Sequence, residues 1–190
     1  SLIIVVIPCQ FVREVMNKLP RIPDSTIIVC CSKGIENDTL LRMSQVIHET
    51  TKVKHDNIVA LSGPSHAEEV CKKLPTTVVS SCRKIDTARK IQKVFNNNYF
   101  RVYASDDIVG VELGGAVKNI IAIAAGICDG LGFGDNTKAA LVTRGLAEIV
   151  RLGNKLGAQS KTFSGLSGIG DLIVTANSIH SRNRYVGKEI

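Results

Sequence analysis

Short apolar runs rich in β-branched residues alternate with helical patterns along the first half of this chain, and no other feature constrains the fold as strongly. Five such runs predict strands, and four segments between them place apolar residues at helical spacing. The predicted strands are residues 2–7, 26–31, 57–62, 76–81 and 99–104, and the predicted helices are residues 10–19, 38–50, 65–73 and 85–96. Strands rich in Ile and Val that are each followed by a helix are typical of a doubly wound α/β sheet. We therefore predict this fold class for residues 1–104.

The strand pattern stops near residue 104, and the remainder of the chain predicts helices only. Asp106 and Asp107 provide N-cap chemistry for a long apolar helix that runs to about residue 129, where a glycine-rich segment breaks it. A second amphipathic helix is predicted over residues 139–156, whereas residues 172–176 are ambiguous. We therefore expect two domains, an α/β domain over residues 1–104 and an all-helical domain over residues 105–190.

The chain starts directly with a strand-like run that ends at Pro8 and has no basic leader. We therefore expect no signal peptide here, and we expect the N-terminal part of a longer protein to precede this run. No complete G-x-G-x-x-G motif or P-loop is present. This argues against dinucleotide binding unless a first βαβ unit lies upstream.

The composition argues against several classes of function. The net charge of +7 suggests an anionic partner, but the Lys and Arg residues are dispersed, so nucleic-acid binding is not expected. The most apolar stretch, residues 113–128, is interrupted by Lys118 and is shorter than the ~20 residues of a spanning helix, so no membrane insertion is expected. The six cysteines lack C-x-x-C spacing and the four histidines lack paired ligand spacing, so no metal site is expected.

Lys118 is the residue most suggestive of catalysis. It carries the single charge in residues 113–128, a segment that is apolar on all sides and must be largely buried. Burial without a partner disfavours the ammonium form and lowers the pKa of a lysine towards neutrality, as proton transfer near pH 7 requires. A lysine whose ammonium reaches solvent, or one held in a structural ion pair, explains the pattern equally well. The neighbouring Asn119 slightly favours a polar site on this face.

Polar residues near the C-terminus form a second candidate site. Ser181, Arg182, Asn183 and Arg184 are suited to bind a phosphate or carboxylate, although such clusters are more often solvated basic loops. Asp171 follows a glycine-rich segment, and it either orients a lysine or a substrate hydroxyl, or caps the next helix.

Two predicted strands end in residues that suit ligand binding. Lys33 and Gly63 follow the second and third strands, at the edge where open α/β sheets bind ligands. Lys33 is able to reach an anionic ligand there, and Gly63 allows close approach of the backbone. Ordinary strand-to-helix turns also explain both residues.

Six motifs along the chain resemble, in the same order, those of the bacterial-type NAD(P)-dependent sn-glycerol-3-phosphate dehydrogenases. They are SKGIE at residues 32–36, LSGPS at 61–65, VELGGAVKNI at 111–120, AGICDGLGFGD at 125–135, TRGLA at 143–147 and SRNR at 181–184. The VELGGAVKN block and the SRNR block are the specific ones. The resemblance covers almost the whole chain.

The resemblance implies a fold, a reaction and a setting. The family joins a Rossmann-like domain to an all-helical substrate domain, which is similar to the C-terminal domain of 6-phosphogluconate dehydrogenases. Its members transfer a hydride between C2 of glycerol 3-phosphate and NAD or NADP, giving dihydroxyacetone phosphate and feeding glycerophospholipid synthesis. The resemblance further implies a cytoplasmic homodimer with a small-molecule phosphate substrate.

The resemblance also implies a role for each matching residue. Lys118 would be the acid/base at the C2 oxygen, and Lys33 would touch both substrate and cofactor. The Pro8 turn would lie near the nicotinamide, and Ala67 would line the dinucleotide cleft. The substrate would be held by Lys33, Gly63, Ser65, Lys118, Asp171, Ser181, Arg182 and Asn183, with Arg182 at the phosphate and also near the cofactor.

The sequence departs from the family pattern in two respects. The glycine-rich phosphate-binding loop and the C-terminal helices of the family have no counterpart in these 190 residues, so the preference for NAD or NADP stays open. His66 stands where an aromatic residue is common, and residues 176–180 differ from the usual loop. Two other functions also stay open: a related NAD(P)-dependent hydroxyacid or polyol-phosphate dehydrogenase, and a metabolite-binding protein that has lost activity.

Overall fold

The computed structural model describes residues 1–190 as a five-stranded sheet followed by a group of helices. The strands are β1 (Leu2–Val5), β2 (Ile27–Cys30), β3 (Ile58–Ser62), β4 (Thr76–Ser81) and β5 (Phe100–Ser105). Each strand ends within two residues of its predicted bounds. The predicted α/β fold class is therefore confirmed.

Helices cover both faces of the sheet, as the doubly wound arrangement requires. They are α1 (Val12–Asn17), α2 (Met43–Thr51), α3 (Ala67–Cys71) and α4 (Ile85–Phe95), with single 3-10 turns at Cys9–Phe11 and His55–Asn57. On one face α1 and α2 pack on β1, β2 and β3 through a core that includes Val12, Val46 and Ile28. On the other face α4 packs through Ile91 against Val59.

Helices α2 and α3 are shorter than predicted because backbone turns occupy their expected ends. In the segment before α2, Asp38 and Leu40 have φ values of 65° and 56°, which a right-handed helix excludes. Lys73 has a φ of 58° shortly after α3. The apolar spacing in these segments therefore continues beyond the helices themselves.

Strand β4 runs antiparallel to β3, whereas the other neighbouring strands of the order β1-β2-β3-β4-β5 are parallel. The connection between β3 and β4 contains only the five-residue helix α3. Such a helix spans ~8 Å, whereas a five-residue strand such as β3 spans ~17 Å. Because α3 is too short to return the chain to the start of β3, β4 begins near the end of β3 and runs back. The sheet is therefore mixed.

Five helices follow β5, in agreement with the helical prediction for this part of the chain. They are α5 (Ile108–Gly130), α6 (Asp135–Lys155), α7 (Ser160–Phe163), α8 (Asp171–Asn177) and α9 (Arg182–Glu189), with a π-helical turn at Leu166–Gly170. Asp107 caps α5, since its Oδ1 accepts a hydrogen bond of 2.9 Å from the Gly110 amide. The α6 helix begins four residues before the predicted position, and the ambiguous segment 172–176 is helical.

Helix α5 lies at the centre and contacts α6, α7, α8 and α9 as well as β3. It is 23 residues long, so the prediction that its apolar stretch is too short to span a membrane is wrong. By length and composition α5 passes the test for a membrane span, a test that the buried core helix of a soluble protein also passes. Half of its most apolar window is buried in the fold, and Val111 packs beside Ala60 of β3.

Candidate active site

The ends of the parallel strands bring three of the predicted residues to one edge of the sheet. Pro8 follows β1, Lys33 follows β2 and Gly63 follows β3. Gly63 has a φ of +153°, and a Cβ atom there would lie 2.9 Å from the Cα of Val78. Only glycine fits this position, because the backbone conformation and the lack of space both exclude a side chain.

Helix α5 approaches this edge closely through two glycines that precede Lys118. A Cβ atom on Gly115 would lie 2.9 Å from Ser62 Oγ and 3.3 Å from Lys33 Cγ. On Gly114, a Cβ atom would overlap the Ser167 carbonyl oxygen. The glycine pair therefore lets α5 pack directly against the strand ends. Since Lys118 lies one turn after Gly115, this packing places its side chain beside Lys33.

One buried carboxylate connects the two lysines. Lys33 Nζ donates to Asp171 Oδ2 at 2.7 Å and to the Gly63 carbonyl oxygen at 3.0 Å. Lys118 Nζ donates to Asp171 Oδ1 and, at 2.7 Å, to Thr175 Oγ1. Asp171 is 1% exposed and Lys118 is 6% exposed. The loop after β2 and the helices α5 and α8 thus contribute to one polar cluster, which we call the two-lysine cluster (Lys33, Lys118, Asp171 and Thr175).

The environment of Lys118 favours proton transfer near neutral pH. Burial lowers the pKa of Lys118, the positive charge of Lys33 adds to this effect and Asp171 opposes it, so that the resulting pKa is about 8. Two ammonium groups share a single carboxylate, so the cluster carries an excess of positive charge. Such a cluster is suited to an anionic ligand or to negative charge that develops on a ligand oxygen.

The SRNR motif forms the start of α9. Ser181 is buried and caps the helix, because its Oγ accepts a hydrogen bond of 3.2 Å from the Arg184 amide. Arg184 is held inside the protein, with its Nε 2.6 Å from Asp129 Oδ2. Arg182 is exposed and has no hydrogen-bond or ion-pair partner in the chain. Of the two arginines, only Arg182 is therefore free to bind a ligand.

The Gly63 turn and the SRNR turn lie near each other. Ser65 Oγ donates to the Gly63 carbonyl oxygen at 3.0 Å, which orders the turn after β3. His66, the next residue, faces His180 with ring centroids 6.0 Å apart. The pKa of Glu68 is lowered mainly by a hydrogen bond with its own backbone. The charges of His180, His66 and Arg182 lower it further, which indicates that these residues lie near Glu68. Residues from both turns therefore surround one stretch of surface.

Some predicted residues are not joined to the two-lysine cluster. Ser181, Arg182 and Asn183 make no hydrogen bond with it, and Pro8 and Ala67 are exposed at the edge of the sheet. Their roles stay predictions. Two sizeable cavities, of about 500 and 470 Å³, lie elsewhere, beside α1 and between α6 and α8. Cavity size does not identify the site, whereas the buried polar network does.

Sequence reasoning missed two polar side chains at the cluster. Thr175 lies one helical turn after Asp171, a spacing that places both on one face of α8. That spacing was the available signal, but the helix itself was ambiguous in the sequence. Ser62 is buried, and its hydroxyl has no hydrogen-bond partner. No pattern in the sequence distinguishes Ser62 from any other serine at the end of a strand.

Comparison with known proteins yields one consistent family. A family model described as NAD-dependent glycerol-3-phosphate dehydrogenase N-terminus matches residues 1–88, and the corresponding C-terminus model matches residues 107–190. A glycerol-3-phosphate dehydrogenase (NAD(P)+) of Bacillus velezensis is 58% identical over 187 residues, which are 97% of this chain and 54% of that protein. A Clostridium perfringens relative of the same name is 53% identical, over 97% of this chain and 56% of its own length.

Solved structures agree with the curated relatives. The glycerol-3-phosphate dehydrogenase of Coxiella burnetii superimposes with a TM-score of 0.92 at 37% identity, over all of this chain and 59% of its own. The Plasmodium falciparum enzyme superimposes with a TM-score of 0.90 at 26% identity, over 99% of this chain and 53% of its own. The chain therefore spans about half the length of the curated relatives it matches.

Proposed function

This chain belongs to the NAD-dependent glycerol-3-phosphate dehydrogenase family, and from that premise we propose the activity of the protein it forms part of. That protein interconverts sn-glycerol 3-phosphate and dihydroxyacetone phosphate, with NAD or NADP as the cofactor. The observation that carries the proposal is the buried Lys118, whose ammonium is bonded to Asp171 and Thr175 beside a second lysine. Alternative substrates and a loss of activity are outcomes of the test below.

Lys118 acts as the acid and base at the C2 oxygen. A lysine with a pKa of about 8 is present in both protonation states near neutral pH, so it is able to donate a proton in one direction and accept it in the other. The bound dinucleotide supplies or accepts the hydride at C2. Asp171 and Thr175 hold the amine in one orientation, since each bonds to Nζ.

Lys33 stabilises negative charge on the C2 oxygen during the reaction. Its ammonium is fixed by Asp171 Oδ2 and the Gly63 carbonyl oxygen before any ligand binds. A charge that is already oriented stabilises the transition state without further reorganisation.

The phosphate of the substrate binds at the exposed end of the site. Arg182 provides a free guanidinium, and Ser181 and Asn183 add neutral hydrogen-bonding groups in the same turn. Gly63 and Ser65 lie on the facing turn and complete the set of substrate-binding residues. The phosphate is remote from the reacting carbon, so its binding energy orients C2 towards Lys118.

The cofactor lies along the carboxyl edge of the parallel strands. Ligands of open α/β sheets bind at this edge, and Pro8 and Ala67 are exposed there. Pro8, Lys33, Ala67 and Arg182 are the residues of this chain that we assign to the cofactor. We further assign the protein to the cytoplasm, without membrane insertion, and to a homodimer.

The test is turnover by the full-length protein. We expect oxidation of NADH or NADPH when dihydroxyacetone phosphate is added, and a loss of kcat by a factor of roughly 100 to 10,000 in Lys118→Met. The control is Lys90→Met, because Lys90 is exposed on α4, a helix that contributes no residue to the cluster. Robust turnover by Lys118→Met would exclude Lys118 as the acid/base. A preference for carboxylate substrates would favour a hydroxyacid dehydrogenase, and binding without turnover would favour a protein that has lost activity.

A further inference from the structure

A carboxylate near the end of α5 joins three helices, and the proposed reaction does not use it. Asp129 Oδ2 accepts a hydrogen bond of 2.6 Å from Arg184 Nε on α9. Asp129 Oδ1 forms an ion pair with Lys138 on α6. The side chains of Asp129, Arg184 and Lys138 are only 13%, 22% and 14% exposed.

Ion pairs as buried as these are a poor source of stability. The loss of hydration offsets most of the attraction between the charges. Their best-attested use is to specify how two elements align. A pair that joins α5 to α9 therefore suggests that the alignment of these two helices matters.

The contact between α5 and α9 combines close backbone approach at glycines with one polar pair. At Gly126 the α5 backbone touches the Arg184 carbonyl, and at Gly187 the α9 backbone touches the Ile123 carbonyl. A Cβ atom at either glycine would overlap the facing oxygen. The glycines therefore set how closely the two backbones approach, but they provide no polar side-chain contact between the helices. The Asp129–Arg184 pair is the only side-chain hydrogen bond or ion pair between the two helices.

The alignment of α9 on α5 decides where the phosphate-binding turn lies. Gly126 is eight residues after Lys118, on the same face of α5 and ~12 Å along its axis. The turn that carries Arg182 begins α9, and Arg184 fixes it twice, through its amide to Ser181 Oγ and through its side chain to Asp129. Lys118 and the anchor of the turn are thus carried by one rigid helix.

We infer that Asp129 and Arg184 are positioning residues, which hold Arg182 at a set distance from Lys118 by fixing α9 on α5. The two arginines of the SRNR motif then have different tasks. Arg182 binds the substrate phosphate, and Arg184 holds the turn that presents it. This inference rests on the proposed function, because the distance matters only for a substrate that carries its phosphate away from the reacting carbon.

The test is Asp129→Asn in the full-length protein, with kcat and KM measured separately. We expect KM for dihydroxyacetone phosphate to rise roughly tenfold, corresponding to ~1.4 kcal/mol of lost binding, with kcat at saturation within about threefold of the wild type. Asp129→Glu keeps the charge and should recover part of the affinity. The matched control is Lys138→Met, which removes the other cation from the same carboxylate without touching α9. It should lower stability and leave KM unchanged.

Two outcomes would overturn the inference. One is an unchanged KM in Asp129→Asn, and the other is an equal rise of KM in Lys138→Met, which would indicate a general loss of structure. The double variant Asp129→Asn with Arg184→Gln should be no worse than either single variant, since the two residues act as a unit. Absence of turnover in the wild type would instead contradict the proposed function. Calorimetric titration with glycerol 3-phosphate would then still compare Asp129→Asn with the wild type, and equal affinities would reject the positioning role.

Discussion

A single carboxylate between two ammonium groups determines how the site responds to pH. Asp171 gives one oxygen to Lys33 and the other to Lys118, so neither lysine has a carboxylate of its own. Lys118 is the more deeply buried of the two and bears the consequence, with its pKa lowered to about 8. The protonation state of Lys118 therefore changes at mildly alkaline pH.

The two directions of the proposed reaction should depend on pH in opposite senses. Reduction of dihydroxyacetone phosphate needs the ammonium form of Lys118, so kcat should fall as the pH rises through about 8. Oxidation of glycerol 3-phosphate needs the free amine, so kcat should fall as the pH drops through the same value. In Lys33→Met the loss of the nearby positive charge raises the pKa of Lys118, and both transitions should move to higher pH. Steady-state pH profiles of the full-length protein in both directions measure this shift.

Lys33→Met also lowers the rate, because Lys33 belongs to the site, so only the position of the transition is informative. An exposed lysine provides the control: Lys90→Met should leave both profiles in place. Transitions that stay at the wild-type pH in Lys33→Met would show that Lys33 does not influence Lys118.

The burial of Lys118 should cost stability at neutral pH. Its pKa of about 8 in the folded protein lies below the value of 10.5 for a free lysine, so the unfolded chain binds more protons between these two values. The full penalty is present below pH 8 and disappears as the pH rises towards 10.5. Lys118→Met should therefore leave the free energy of unfolding at pH 7 unchanged or raise it by up to ~3 kcal/mol, which is the free energy that corresponds to this pKa difference, because Asp171 keeps its ion pair with Lys33. Urea unfolding at pH 7 and pH 10 checks the sign, and a large loss of stability at pH 7 would contradict it.

Sequence reasoning reached some of these residues and not others, for identifiable reasons. Lys118 stands out because a lone charge in an apolar helix must be accommodated in the interior. For Asp171 the pattern left two readings, and the structure shows the one in which it orients lysines, with both carboxylate oxygens occupied. Thr175 was missed because hydroxyl groups occur throughout the sequence and carry no charge that burial makes conspicuous. Lys118 and Asp171 are 53 positions apart in the chain. The sequence pattern does not show that they pair, because their contact depends on the tertiary fold.

Among the elements, the close contact between α5 and α9 depends on glycines at the crossing. In Gly187→Ala the new methyl group would overlap the Ile123 carbonyl oxygen, and the backbone of α5 cannot yield as a flexible side chain would. We expect a loss of roughly 1 to 3 kcal/mol in the free energy of unfolding, as for other overpacked sites. Gly170→Ala is the control, since its methyl group would meet its nearest atom at 3.6 Å, an ordinary contact distance. Equal effects of the two substitutions in chemical denaturation would show that α9 has room to move.

Strands were predicted more closely than helix ends. A run of β-branched residues is short and ends where its apolar residues end, so β4 matches its prediction at both ends. Apolar spacing does not reveal where a helix begins, because a loop that packs on the core also buries apolar residues. The direction of β4 was not predictable from the pattern either, since it follows from the length of α3 and not from the strand itself.

For the whole molecule, the important question is how the sheet and the helices hold together. The pair Lys33–Asp171 links them at the site. A second group of contacts links α2 to α5. There Glu112 accepts hydrogen bonds of 2.7 Å from both the amide and the hydroxyl of Ser44, and it forms an ion pair with Arg42. Neither link is visible in the sequence, because residues 68 to 138 positions apart have no local pattern in common. The division into domains at residues 104 and 105 stays a prediction, and substitutions in these two links would test it.

Removal of the charge on Glu112 should weaken the link between sheet and helices far more than removal of a surface pair. Glu112 and Arg42 are 7% and 14% exposed, so Glu112→Gln leaves a buried guanidinium without its counter-charge, which typically costs ~3 kcal/mol. Glu148→Gln is the matched control, since Glu148 pairs with Arg151 on one helix and both side chains are more than half exposed; such pairs contribute ~0.5 kcal/mol. We expect urea unfolding of the full-length protein to show this difference.

If residues 1–104 and 105–190 are separate domains, the transition in Glu112→Gln should also split into two, because the helices then lose a main contact with the sheet. A single transition shifted no further than in Glu148→Gln would show that Glu112 does not join the two parts.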